Sequence, residues 1–241
     1  MTDLLRRWLP ARRYLLVGNI VVAVLSVHLG AAMPVEDVRF SLHNLSVRLN
    51  VPEMNLEVCS FCHTPHGGNT GVSGGVLWNK GAPLQTSFTM YGSTIAGTET
   101  SLSPESSSMM CLSCHDGVSG INSIVNLPGS GGYVPAGQYI KSEGPIPLTG
   151  YFAVGLGGDL SDDHPLSIVY RGEESNPPAG LKPSSTMLTD WSGANTIADL
   201  LREGRVECAS CHNPHLSSDA DAFLRTGDNQ GSKLCLGCHD R

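Results

Sequence analysis

The chain has 241 residues and a net charge of −7, with only 15% charged and 6% aromatic side chains. Its 28 Gly and 15 Pro exceed the usual share of a globular domain, so it has little bulky apolar material with which to fill a core at this length. The acidic balance excludes the basic footprint of a nucleic-acid binder, and something other than side chains is needed to fill the interior.

At the N-terminus, Arg6, Arg7, Arg12 and Arg13 precede an apolar run from Leu15 to Leu29 that closes in Gly30-Ala31-Ala32. A basic start, an apolar middle and a small-residue finish predict a secretory signal peptide over residues 1–32, cleaved on export. The run falls short of a comfortable bilayer span, and an uncleaved N-terminal anchor is the alternative. No later apolar run is long enough to cross, so no stable membrane span is expected after cleavage.

The first attachment-like motif is Cys59-Ser60-Phe61-Cys62-His63. Segments 67–102 and 117–160 are rich in Gly, Ser, Thr and Pro and read as loops, with short strands expected around Val76 to Trp78 and Ser167 to Tyr170. Ser103-Pro104-Glu105 has the pattern of a helix start, predicting a helix that carries Cys111-Leu112-Ser113-Cys114-His115. A second helix is expected over Ala194 to Arg202, stopped by Gly204. It leads into Cys208-Ala209-Ser210-Cys211-His212, and Cys235-Leu236-Gly237-Cys238-His239 follows.

All eight cysteines therefore sit in four motifs of one form, Cys-x-x-Cys-His, the attachment signal of c-type haem. Two thiols add to the vinyl groups of one porphyrin and the adjacent His supplies an axial nitrogen. On a helical turn these three positions share a face. Disulfides and zinc sites also use paired cysteines, but neither asks for His after every pair. The motifs imply four haem c, with thioethers from Cys59, Cys62, Cys111, Cys114, Cys208, Cys211, Cys235 and Cys238, and proximal iron ligands His63, His115, His212 and His239. Export agrees, because haem is attached outside the cytoplasmic membrane.

Of the nine histidines, His28 goes with the signal peptide and four are proximal. His43, His66, His164 and His215 remain, one for each open iron position, and are read as distal ligands. A doubled pattern supports this: His43-Asn44-Leu45-Ser46, CSFCHTPH from Cys59 to His66 and CLSCHD from Cys111 align with His164-Pro165-Leu166-Ser167, CASCHNPH from Cys208 to His215 and CLGCHD from Cys235. His66 lies three residues after His63, a reach of at most about 10 Å, and opposite faces of one ring are out of reach. His66, and His215 by the same reasoning, should each cap a neighbouring haem. Met109 and Met110 directly precede Cys111 and read as packing residues, as do Trp78, Phe88, Tyr91, Tyr133, Tyr151, Phe152 and Trp191.

The expected fold is mostly irregular coil with a few short helices and minimal strand, a multihaem cytochrome c fold organised around four covalent haems. Its expected parts are a first dihaem module over 33–150 and a second over 151–241. With iron capped on both sides there is no open position for a substrate, so electron transfer is expected and enzymatic activity is not.

The motifs, with Ser41 to Ser46, Leu77-Trp78-Asn79 and Leu160-Ser161-Asp162-Asp163-His164-Pro165, resemble the polymerising tetrahaem c-type cytochromes of extracellular nanowires, the OmcE-like family, within the broader doubled-motif multihaem group. The resemblance implies a loop-dominated protomer with stacked haems. It also implies a helical homopolymer in which one axial His, here assigned to His43 on the N-terminal arm, comes from the adjacent subunit. Other implied partners are redox cytochromes and an extracellular or periplasmic electron acceptor. The implied location is an extracellular or cell-surface filament; the alternative is a soluble periplasmic electron shuttle or an electron-transfer subunit of a reductase.

Overall fold

Glycine, proline and serine punctuate the chain so densely that few stretches can propagate a helix or a ladder. The structure, a computed structural model, describes residues 36–72, 77–92, 106–127, 139–140, 142–217 and 221–240, the side chains of 52–56 excepted. The expected signal segment 1–32, Val76, the helix-start residues Ser103 to Glu105, and Tyr133 lie outside the described residues.

Among the described residues five short helices form: α1 (Leu45–Arg48), α2 (Ser108–His115), α3 (Ile197–Leu200), α4 (Cys208–Cys211) and α5 (Lys233–Cys238). Between them run turns and short 3₁₀ segments, the longest being Pro52–Phe61. Among the described residues one sheet forms, of two residues per strand: β1 (Ile168–Val169) lies antiparallel to β2 (Arg205–Val206), with Ile168 opposite Val206 and Val169 opposite Arg205. This is the mostly irregular fold expected.

Local details differ from expectation for physical reasons. The helix expected over 194–202 is only α3. The N–H groups of Asn195 and Thr196 donate to Asp199 Oδ2 at 2.9 and 2.8 Å, which starts it three residues late, and Leu201 turns extended, which ends it. The strand around 167–170 shrinks to β1, and its partner β2 was not foreseen. Residues 77–78 form no strand; Trp78 instead makes isolated bridges to His63 and Asn69.

Apolar burial is divided among small clusters. Leu45, Leu49, Val51, Phe61 and Ile121 form one, Met90, Tyr91 and Leu160 a second, and Trp191, Ala194 and Leu200 a third. Phe40, Val47 and Met187 stay exposed. A continuous core is replaced by polar stitching. Lys80 is 1% exposed, and its Nζ donates to the carbonyls of Ile121 and Ser123, both at 2.7 Å, which offsets the cost of burying an ammonium. No helix among the described residues is long and apolar enough to cross a membrane.

Candidate haem-attachment sites

Each Cys-x-x-Cys-His motif makes one helical turn. The N–H of the histidine donates to the carbonyl of the first cysteine in three of them: His63 to Cys59 at 2.8 Å, His212 to Cys208 at 3.0 Å and His239 to Cys235 at 2.9 Å. Helix α2 contains the whole second motif, and its C-terminal end is closed by Asp116. That carboxylate is fully buried and accepts from the N–H groups of Val118 and Ser119 and from Ser119 Oγ. No disulfide joins any two of the eight cysteines. Burial pushes the Cys62 thiol up to about 11 and the Cys211 thiol up to about 12, so these sulphurs sit uncharged against apolar surroundings.

A repeated main-chain strap holds three of the motifs, and no sequence reasoning anticipated it. At the first motif, His63 bridges Trp78, Thr64 N–H donates to the Leu77 carbonyl, and Asn79 N–H donates to the Cys62 carbonyl. At the third, His212 bridges Leu224, Asn213 N–H donates to Phe223 and Arg225 N–H to Cys211. At the fourth, His239 bridges Leu181, Asp240 N–H donates to Gly180 and Lys182 N–H to Cys238. The first residue of each strap takes a left-handed backbone, with φ of 52° at Leu77, 64° at Gly180 and 60° at Phe223. For Leu and Phe that costs about 1 kcal/mol. The last strap residue also uses its side chain: Asn79 Nδ2, Arg225 Nε and Lys182 Nζ donate to the carbonyls of Ser60, Ala209 and Leu236, the second residue of each motif, at 2.5, 2.8 and 2.6 Å.

The straps also aim imidazoles. His212 Nδ1 lies 2.7 Å from the Ala222 carbonyl and His239 Nδ1 2.9 Å from that of Ala179, each the residue just before its strap. His115 Nδ1 lies 2.7 Å from the Phe152 carbonyl, and Val154 N–H donates back to the His115 carbonyl at 2.7 Å. With Nδ1–H committed to a carbonyl, Nε2 is left as the metal-binding nitrogen. Two proposed distal residues follow the same logic: His43 Nδ1 is 3.2 Å from the Pro214 carbonyl and His164 Nδ1 is 3.2 Å from that of Pro165.

The imidazoles come together in pairs. The rings of His43 and His115 have centroids 6.1 Å apart at an interplanar angle of 86°; those of His63 and His215 are 6.3 Å apart at 24°. Two imidazoles on opposite sides of one metal, each bonded at about 2.0 Å, have centroids about 6 Å apart. Both pairs stand at that separation. Phe223 stacks on His43 at 4.4 Å and 16°. Burial holds His43 down to about 4, opposed by the Pro214 carbonyl and assisted by the charges of His115, Arg48 and His215. Burial likewise lowers His115 and His164, and His239 adds to the effect on His164. A neutral imidazole is the form that binds iron.

The resemblance assigned His43 to a neighbouring subunit; within one chain its ring already faces His115. His215 lies beside His63 and not beside His212. His66 is exposed, with its carbonyl engaged by Thr64 Oγ1 and Asn126 Nδ2. Of the aromatic residues expected to pack, Tyr91 and Trp191 are buried, whereas Tyr151 is 86% exposed. The strap residues Asn79, Lys182 and Arg225 escaped sequence reasoning because their distance along the chain from the motif they hold differs in every case.

The residues present fit a covalently held haem. Among the described residues no group of three or more His, Cys, Asp or Glu gathers as it would around a bare metal ion, whereas an iron already holding four porphyrin nitrogens takes protein ligands in pairs. An open cleft of about 380 Å³ is lined by Cys59, Ser60, His63, Thr64, Pro65 and Leu77, and another of about 300 Å³ lies against Trp191, Leu236 and Gly237 beside the fourth motif. A comparison with curated proteins found no similar chain. Residues 201–241, which hold the third and fourth motifs, match the doubled CXXCH motif family, and that match supports covalent haem c binding by a multihaem c-type cytochrome that works in electron transfer.

Proposed function

We propose that this chain is an exported tetrahaem cytochrome in which every iron is held by two histidines and electrons pass along closely set haems. The observation that carries the reading is the iron-bridging separation of the pairs His63/His215 and His43/His115. Each pair joins residues distant in sequence, so it is a tertiary arrangement and not a by-product of a motif. The full axial assignment is His63 with His215, His115 with His43, His239 with His164, and His212 with His66. The third pair is supported by the influence of His239 on His164, and the fourth follows from the count.

When bound, each haem supplies an iron that alternates between ferric and ferrous states. The chain's own groups do the rest. The Cys pairs fix the ring edge, the carbonyls of Phe152, Ala179 and Ala222 fix the imidazole planes, and burial keeps His43, His115 and His164 neutral. With no ligand exchanged on reduction, little reorganisation accompanies each electron, which suits transfer over catalysis. Bis-imidazole ligation without a Met holds the potentials low.

The chain acts as the repeating subunit of an extracellular filament, in keeping with its resemblance to the OmcE-like cytochromes. Its second reading is a soluble periplasmic shuttle or a reductase subunit. In the filament, the axial histidine exchanged between copies is assigned to His66 rather than His43. The 6.1 Å separation of His43 from His115 within one chain favours this reading. The test is direct. Intact mass of the exported protein should show four added haems, carbon monoxide should leave the reduced spectrum unchanged, and negative-stain images should show filaments that His66→Ala abolishes. Fewer than four haems or a high-spin spectrum would overturn the electron-transfer reading, and uniform monomers would leave the shuttle.

A further inference from the structure

The second and third attachment motifs meet through their first cysteines. The side chains of Cys111 on α2 and Cys208 on α4 lie beside one another. Beside them lies Glu207, 2% exposed. Its Oε2 accepts from Ser106 Oγ at 2.7 Å and from Ser108 Oγ, and Ser108 Oγ in turn accepts from the Cys208 N–H at 3.0 Å. The Glu207 N–H is tied to Ser210 Oγ at 3.0 Å, which donates to the Leu200 carbonyl at 2.9 Å. Among the described residues no salt bridge to a cation is made at this carboxylate; two hydroxyls and its own helix start hold it.

A buried carboxylate is costly unless it is fully hydrogen-bonded, and this one would be cheaper as a glutamine if its role were only to join two helices. Its placement at the meeting point of two thioether edges gives it another consequence. We propose that Glu207 is a positioning and charge-setting residue that clamps α2 to α4 and lowers the reduction potentials of the haems held at Cys111–His115 and Cys208–His212. This rests on the tetrahaem reading above. A fixed negative charge in a low-dielectric setting stabilises the ferric state, which carries one more positive charge than the ferrous state, and so opposes reduction. Hydrogen bonds from Ser106 and Ser108 favour the charged form of the carboxylate. The two centres that join the chain's halves are thereby held at matched, lowered potentials, which favours electron exchange between them.

The experiment uses the exported, haem-loaded full chain, with haem count by mass and potentials by spectroelectrochemical titration. Glu207→Gln keeps the shape and the serine partners; two of the four potentials should move positive while the other two hold. Glu207→Asp keeps a carboxylate and should stay closest to the parent. Unmoved potentials in Glu207→Gln, or movement of all four together, would make the residue purely structural and overturn the proposal. If Glu207→Gln loses haem, Ser106→Ala with Ser108→Ala decides it: removing both donors disfavours the charged form of the carboxylate, so the same two potentials should move positive, and unmoved potentials would overturn the proposal. A parent protein without four haems would sink the tetrahaem reading instead.

Discussion

His63 and His215 face one another at 6.3 Å with their planes only 24° apart, although they come from opposite halves of the chain. The loop that carries His215 also supplies, through Pro214, the carbonyl that orients His43. One short segment after the third motif therefore places ligands for two sites in the first half.

Replacing His215 with alanine should open the haem at Cys59–His63 and leave the others closed. One high-spin centre should appear in the oxidised spectrum, and about one carbon monoxide should bind per reduced chain. His66→Ala should spare this centre, so an identical response to both substitutions would refute the pairing.

The two pairs differ in ring geometry, 86° for His43 with His115 against 24° for His63 with His215. Perpendicular axial planes leave the iron d orbitals nearly degenerate and give a strongly anisotropic electron paramagnetic resonance signal; near-parallel planes give a rhombic one. Both classes should be present at low temperature. His43→Met should remove one anisotropic component and leave the rhombic signal of the first site.

Acid should affect the His43 site late. Its value of about 4 in the folded chain lies below the ordinary 6.5, so the folded state binds fewer protons than the unfolded one between those limits. Stability contributed by the neutral ring is complete above pH 6.5 and declines as pH falls toward 4. Iron bound to the ring adds to this resistance, so the low-spin spectrum of this centre should persist at least down to pH 4, as followed by equilibrium absorbance. Conversion near pH 6 would show that the ring is solvated.

Gly237 sits inside the fourth motif, where a Cβ would collide with the Trp191 indole. Gly237→Ala should cost about 1–3 kcal/mol through overpacking, read as a lowered denaturation midpoint. Gly204→Ala, where a Cβ meets nothing within 4 Å, should cost less, by strain at its φ of 74° alone. Equal losses would argue against the Trp191 contact.

The attachment motifs were legible because covalent chemistry demands fixed residue types at fixed spacing. The coil-dominated fold was legible in the Gly, Pro and Ser content. The straps were not. They act through N–H and carbonyl groups that every residue possesses, from positions before or after the motif, and Leu77 and Phe223 adopt left-handed backbones that neither side chain favours. Strand β2 was hidden for a related reason: two residues, Arg205 and Val206, are too few to show alternation. Glu207 carries no signal in the sequence, and only the approach of α2 to α4 buries it.

Because the straps grip their motifs through main-chain atoms, that grip does not depend on which side chain stands at the first strap position. Leu77, Gly180 and Phe223 already differ completely while making the same bond. The exterior around these three motifs can therefore be redrawn while the main-chain hold on each histidine stays as it was.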